Sequence, residues 1–184
     1  MLGRPQTSEA AAYFWKYIDR VEGDDPIVAL VKQLGEAMEL FAGISEDQSK
    51  FRYAPEKWSM RQAVNHITDT ERAFSFRALW FGRGFAGPLD SFDDQTASTG
   101  AEADRVCWAG HVDEFQHVRL ATVSLFRNMP EAAWSRTGVA SGDVVSVRAL
   151  AFLCTGHAEH HLAILRERYL AGSCEQESAP ILSI

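Results

Sequence analysis

The chain has 184 residues, 46% of them apolar, and its 25 acidic side chains against 18 basic ones give a formal net charge of −7. This length and apolar share suit one domain with a sizeable core, and an acidic balance without a basic run argues against non-specific nucleic-acid binding. No apolar stretch approaches the roughly 20 residues of a membrane span, and Met1-Leu2-Gly3-Arg4-Pro5 lacks the apolar centre of a signal peptide, so a cytoplasmic location is expected.

Residues from about Ser8 to Tyr17 read as a short helical lead-in. Gly23-Asp24-Asp25-Pro26 then supplies an acidic cap and a proline at the first helical position, which opens a helix to about Gly43. Ser59 with Gln62 forms a capping-box pattern that starts the second long helix, and glycines break that helix at about Arg83. The stretch from Gly82 to Gly100 is long for a connection in a compact bundle, so it reads as a lid or as a disordered segment. A third helix runs from about Ala101 to Met129 and stops at Pro130. Gly138 to Asp143 reads as a polar turn, Ser146 caps a fourth helix, and Gly172 ends it. The tail from Gly172 to Ile184 looks detachable. Four long helices without a convincing alternating strand predict an all-α four-helix bundle.

The chemistry concentrates in Gly156-His157-Ala158-Glu159-His160-His161. At 100° per residue, His157 and His161 project from one face roughly 6 Å apart along the axis, a reach that lets two imidazoles share one metal ion. Leu150, Leu153, Cys154 and Ile164 lie on the same side, so the pair belongs to the buried stripe. Burying two imidazoles without partners is costly, and a metal satisfies both. The third ligand candidate is His66, on the second helix. Three neutral imidazoles with positions left for water or substrate are the donor set of a catalytic site. His160, rotated about 100° from His161, leaves a pairing of His157 with His160 as the alternative.

Other residues carry a functional and a bland reading side by side. Asp69, three residues after His66, is either an acceptor for an imidazole N–H, a general base, or a surface carboxylate; Glu71 points well away. Arg77 returns to the azimuth of His66 three turns on, roughly 16 Å along the axis, where it anchors an anionic substrate group or pairs with an acid. Trp58, Phe74, Trp80 and Phe81 line a pocket or fill the core. Cys154 is a fourth ligand, a nucleophile or a small buried side chain, and three scattered cysteines point to reduced thiols. His111 and His117 fall on opposing sides of the third helix and read as surface residues. Glu114-Phe115-Gln116-His117 supplies one E-x-x-H motif where a di-iron bundle needs two.

Three blocks carry a family resemblance: Arg52-Tyr53-Ala54-Pro55-Glu56-Lys57-Trp58-Ser59, His66-Ile67-Thr68-Asp69-Thr70-Glu71-Arg72, and Gly156-His157-Ala158-Glu159-His160-His161 continuing to Tyr169. In order and spacing, from about Tyr17 to Leu170, they resemble the signature blocks of the DinB-like superfamily. The resemblance implies a four-helix bundle holding one divalent metal by a second-helix histidine and a fourth-helix H-x-x-x-H pair, here His66, His157 and His161. It also implies an ordered segment near Phe92-Asp93 at the open end of the site, and association as a homodimer. No single reaction follows from it, because the family spans thiol-dependent transferases, a maleylpyruvate isomerase and metal-dependent hydrolases. The expectation is a mononuclear Zn²⁺ or Ni²⁺ enzyme that activates a water or a small thiol for an unknown small-molecule substrate. The alternative is a non-catalytic bundle whose metal staples two helices.

Overall fold

The computed structural model describes residues 3–171, so the tail from Gly172 and the expected stop at that glycine lie outside the described residues. The N-terminal segment forms two 3-10 turns, Thr7–Glu9 and Ala12–Phe14, and then the single turn α1, Trp15–Ile18. This replaces the continuous lead-in expected from Ser8 to Tyr17. Such short turns do not persist alone; burial of Phe14 and Ile18, four residues apart, holds them against the bundle.

Helix α2, Pro26–Ala42, begins as its residues dictate. Pro26 stands in the first turn, and the Asp25 carboxylate accepts the N–H groups of Ile27 at 2.9 Å and Val28 at 3.2 Å. Helix α3, Met60–Gly82, starts with the reciprocal capping box read from Ser59 and Gln62.

The segment expected as a loop contains α4, Asp94–Ala101, whose N-terminus is capped by Asp93 accepting from the Thr96 N–H at 2.7 Å. The third long helix, α5, spans Trp108–Arg127 and starts later than Ala101. Glu102 stops the earlier turn by adopting a left-handed conformation at φ +45°. The buried guanidinium of Arg61 then takes the Asp104 and Val106 carbonyls, and the Glu46 carboxylate accepts the Trp108 N–H. Those bonds hold residues 104–108 out of helical register.

The expected polar turn between 138 and 143 is a β-hairpin: β1, Thr137–Ala140, pairs antiparallel with β2, Asp143–Ser146. Ser141 and Gly142 turn the chain at φ +57° and +85°, the two positive values of a two-residue type I′ connection. Leu89 adds to the hairpin by donating its N–H to Val139 O at 2.9 Å and accepting from Ser141 N–H at 3.1 Å, which fixes the connection between α3 and α4. Four-residue strands give alternation too little length to show.

Ser146 caps α6, Val147–Ile164, by accepting from the Ala149 N–H at 2.9 Å, and the helix continues as a π-helical turn over Leu165–Leu170. The bundle is formed by α2 and α3, each packed against both α5 and α6. The first two long helices, α2 and α3, are thus set across the bundle from one another, as are the last two, α5 and α6. Helix α6 is buried on every side from Ala149 to Ala158, which makes it the central element.

The core is split. One apolar cluster holds Phe74, Phe81, Leu150 and Phe152, and the other holds Met60, Ile67, Ala158 and Leu162. Between them on α3 and α6 lie Thr68, Thr70, Glu71, Thr155 and His157, all buried. On one side of this polar waist Arg119 of α5 binds both Glu71 carboxylate oxygens at 2.7–3.0 Å, and it also donates to Leu30 O and Gln33 Oε1. Gln33 passes the network to α6 through Thr155 O and Glu159, each at 3.0 Å. One guanidinium joins three helices, and Gln33 extends the network to the fourth.

Candidate metal centre

On the other side of the waist, α3 contributes His66 and α6 contributes His157 and His161. The three rings approach edge to face or tilted, with centroids 4.6 to 4.9 Å apart. Their nearest ring nitrogens all lie within 4.8 Å of one another, and His66 Nε2 stands 3.1 Å from His157 Nε2. Nitrogens bound at zinc distance in a tetrahedral site sit roughly 3.3 Å apart, so this spacing fits a single small cation. His157 and His66 are buried, and His161 is partly so.

Burial also sets their charge. It pulls His66 below its ordinary value against the opposing fields of Asp94 and Asp69. The same cause, reinforced by His161 and His66, pulls His157 well below its own. His161 is pushed down to about 3 by burial and then by His66. All three imidazoles are therefore neutral near pH 7, with lone pairs free for a metal. Among the described residues no Cys, Asp or Glu joins the cluster. Cys154 is a fully buried thiol in the apolar core, with its pKa raised by that burial.

The rings are held by their neighbours. Trp58 tilts over His66 at 4.7 Å, Tyr17 meets His157 and His160 edge-on at 5.4 Å each, and Phe74 closes on His157 at 6.1 Å. The histidines form one end of a cavity of about 360 Å³ whose wall also includes Tyr13, Thr70, Arg77, Phe92, Asp94 and Ser141. Tyr13, Phe92 and Asp94 are exposed at its rim. The volume is in the range of small-molecule sites.

The DinB superfamily model matches residues 29–165. The chain belongs to that superfamily. Among solved structures it is similar to YfiT from Bacillus subtilis, described as a probable metal-dependent hydrolase with an unusual four-helix bundle topology, at 17% identity and a TM-score of 0.68, covering 92% of this chain and 93% of that one. It is also similar to a mycothiol-dependent maleylpyruvate isomerase at 11% identity and a TM-score of 0.62, covering 74% of this chain and 58% of the isomerase. At such identities the likeness establishes the bundle fold. A search of curated proteins returned no match.

Within this DinB-superfamily chain the residues singled out from sequence divide clearly. His66, His157 and His161 come together, and His160 stands beside them on the cavity wall. Asp69 is turned to Arg72, which it meets at 3.0 Å and which also bridges to Glu114, and it does not line the cavity. Trp58 and Phe74 line the cavity, Phe81 is core, and Trp80 stacks on Phe85 away from the site. His111, expected at the surface, is buried with Nε2 at 2.8 Å from Ala103 O, because the 3-10 turn at Ala103–Arg105 folds back over it. His117 is exposed.

Sequence reading missed Asp94 and Ser141. Both enter the cavity through local chain geometry, α4 for one and the hairpin tip for the other. The Asp93 cap motif was the only signal available for either.

Proposed function

We propose that the chain is a mononuclear metal-dependent enzyme of the hydrolase type, with His66, His157 and His161 as its three protein ligands for Zn²⁺ or Ni²⁺. The observation that carries this reading is placement: three neutral imidazoles meet at the wall of a cavity with an exposed rim, where a small molecule can reach them. A bound divalent ion would supply Lewis-acid chemistry, lowering the pKa of a water or thiol or polarising a substrate oxygen. Trp58, Tyr17 and Phe74 fix the imidazole planes and keep water from their outer edges. Asp94, whose field already reaches His66, is the carboxylate positioned to take a proton from a group entering the cavity. Asp69, engaged by Arg72, contributes its charge at a distance.

Similarity to a mycothiol-dependent isomerase supports a second reading, transfer or isomerisation dependent on a low-molecular-weight thiol. The same proposal places the protein in the cytoplasm as a homodimer. The described cysteines, Cys107 and Cys154, are both free thiols, as suits a reducing compartment. Exposed Phe76, Leu79 and Leu120 lie on helices α3 and α5, and the first two line a shallow apolar groove between those helices.

Cobalt substitution tests the function. Acetate and 2-mercaptoethanol should each perturb the visible spectrum of the cobalt protein, and ester hydrolysis should exceed thiol transfer. A spectrum indifferent to both ligands would replace the enzyme with a metal-stapled bundle, and thiol transfer without hydrolysis would select the second reading. Light scattering that returned a mass near 20.5 kDa would remove the dimer.

A further inference from the structure

The far end of the cavity from the histidines is made by Arg77, and its surroundings are unusual for a guanidinium. Only 7% of the residue is exposed, yet among the described residues no carboxylate lies within ion-pair distance of it. Its hydrogen bonds run from Nη2 alone, to Asp90 O at 3.1 Å and Ser141 Oγ at 3.0 Å. An arginine presents five N–H donors in a planar fork, so Nη1 and Nε remain available on a residue that lines the cavity. Burial without a counter-charge pulls its pKa below the ordinary value. A buried cation of this kind is costly unless an anion arrives to pair with it.

Helix α3 lays out a track between the two ends. His66, Thr70, Ala73 and Arg77 fall within about 40° of one azimuth and rise roughly 16 Å from first to last. All four line the cavity. Side chains on a helix lean toward its N-terminus, so the guanidinium reaches back toward the histidines and shortens the gap. Midway, the Thr70 hydroxyl is buried without a hydrogen-bond partner among the described residues. Ala73 leaves room beside it. At about 30 Å³ per water, the 360 Å³ cavity holds roughly a dozen non-hydrogen atoms.

We propose that Arg77 is the anchor for a carboxylate at the remote end of the substrate, so that the enzyme acts on small, elongated carboxylic acids whose reactive group lies at the histidine end. With Nη2 engaged, both parallel-pair edges of the fork are taken, so the guanidinium matches a monoanionic carboxylate through one charge-assisted N–H···O bond from Nη1 or Nε. The cations Lys16, Arg20 and Arg168 act on His160 at the opposite end, so Arg77 provides the positive charge at its own end unaided. This proposal rests on the metal-centre reading for the placement of the reacting end.

The test is calorimetric binding of α,ω-dicarboxylates from succinate to suberate to the zinc-loaded protein, each against the monocarboxylate of equal length. Affinity should peak at one chain length, where the dicarboxylate binds ten- to a hundredfold more tightly, the range expected for hydrogen bonds to a charged group. Arg77→Met should erase that advantage while zinc stoichiometry and monocarboxylate affinity stay unchanged. Ser141→Ala removes a hairpin contact and leaves the guanidinium, so the advantage should persist. Equal affinities at every length, or an advantage that survives Arg77→Met, overturns the anchor. Should Arg77→Met fail to fold, the chain-length series on the unaltered protein decides alone. A protein that takes up no zinc overturns the metal reading instead; the anchor is then read from hexanoate binding to the zinc-free protein, which should weaken at least tenfold in Arg77→Gln, and unchanged binding there rejects it.

Discussion

Two polar clusters share the waist of this bundle on opposite faces of α3, and they solve the cost of burial differently. Around Arg119 the charged groups are closed upon one another: guanidinium, carboxylate, carboxamide and backbone carbonyls meet within hydrogen-bond distance, and Arg119 and Glu71 are shut off from solvent, although Gln33 and Thr155 beside them line a surface cavity. Around His66 the imidazoles are neutral, their nitrogens converge with only the 3.1 Å approach of His66 to His157 between them, and Thr70 and Arg77 beside them keep unused hydrogen-bonding capacity. The closed cluster is built for holding helices together. The open one suits the ligand-binding role proposed for it, and the contrast tells the two clusters apart more surely than burial does.

The comparison breaks most visibly at the histidines. His161→Ala, or His66→Ala, should abolish stoichiometric metal binding in elemental analysis, while the metal-free variants lose no more than about 2–3 kcal/mol against the metal-free parent, the cost of emptying the position of one ring. Retained metal would dissolve the distinction. Next in size is Arg119→Met, which strands the Glu71 carboxylate in the core; denaturant unfolding should show a loss of about 3–5 kcal/mol with metal content unaltered. Adding Glu71→Leu should restore most of that loss, because the stranded charge, and not the missing bond, carries the penalty. If the double variant is as unstable as the single one, the closed cluster contributes more than charge compensation.

These two clusters also differ in how far they could be read from the chain. The spacing of His157 and His161 and the capping box at Ser59 are local signals, carried by residues within four positions of each other, and helix geometry turns them directly into positions in space. Arg119 and Glu71 are 48 residues apart, and each looks like an ordinary charged residue on an amphipathic helix until the fold places one against the other. Arg77 is intermediate: its azimuth was legible from α3 alone, but its lack of an acidic partner was not. Asp94 and Ser141 escaped because α4 and the hairpin depend on contacts with Leu89 and Arg77 that no periodicity records. His111 was misread for the same reason, since a 3-10 turn from outside its helix covers it.

A smaller effect sharpens the contrast at the start of α3, the helix that bears both clusters. Ser59→Ala removes the acceptor for the Gln62 N–H and the donor to Asp104 at 2.5 Å, so thermal or chemical unfolding should register about 1–2 kcal/mol. Metal content and Arg119 packing should stay as they are.

The smallest effect belongs to an ion pair that is neither closed nor open, Glu9 with Arg148 at the start of α6. Burial would raise the Glu9 pKa, but hydrogen bonds from Arg148 and Ser146 outweigh it and hold the carboxyl below its ordinary 4.5. The unfolded chain thus binds the proton more readily than the folded one. The stabilisation is fully present above about pH 4.5 and is lost as pH falls through the lower folded value. In Glu9→Gln the acid limb of the stability profile should flatten slightly, and an unchanged limb would remove Glu9 from the account.

Gly156 sits immediately before His157, and a β-carbon built on it would lie 2.1 Å from the carbonyl oxygen of Tyr17. The missing side chain allows the backbone of the N-terminal segment to rest directly on α6, and Tyr13, Phe14 and Tyr17 of that segment form one wall of the cavity. The aperture of the site is therefore gauged by a hydrogen atom. A methyl at this position would lift the whole wall outward, so the residue that weakens the central helix most is also the one that decides how large a molecule the protein admits.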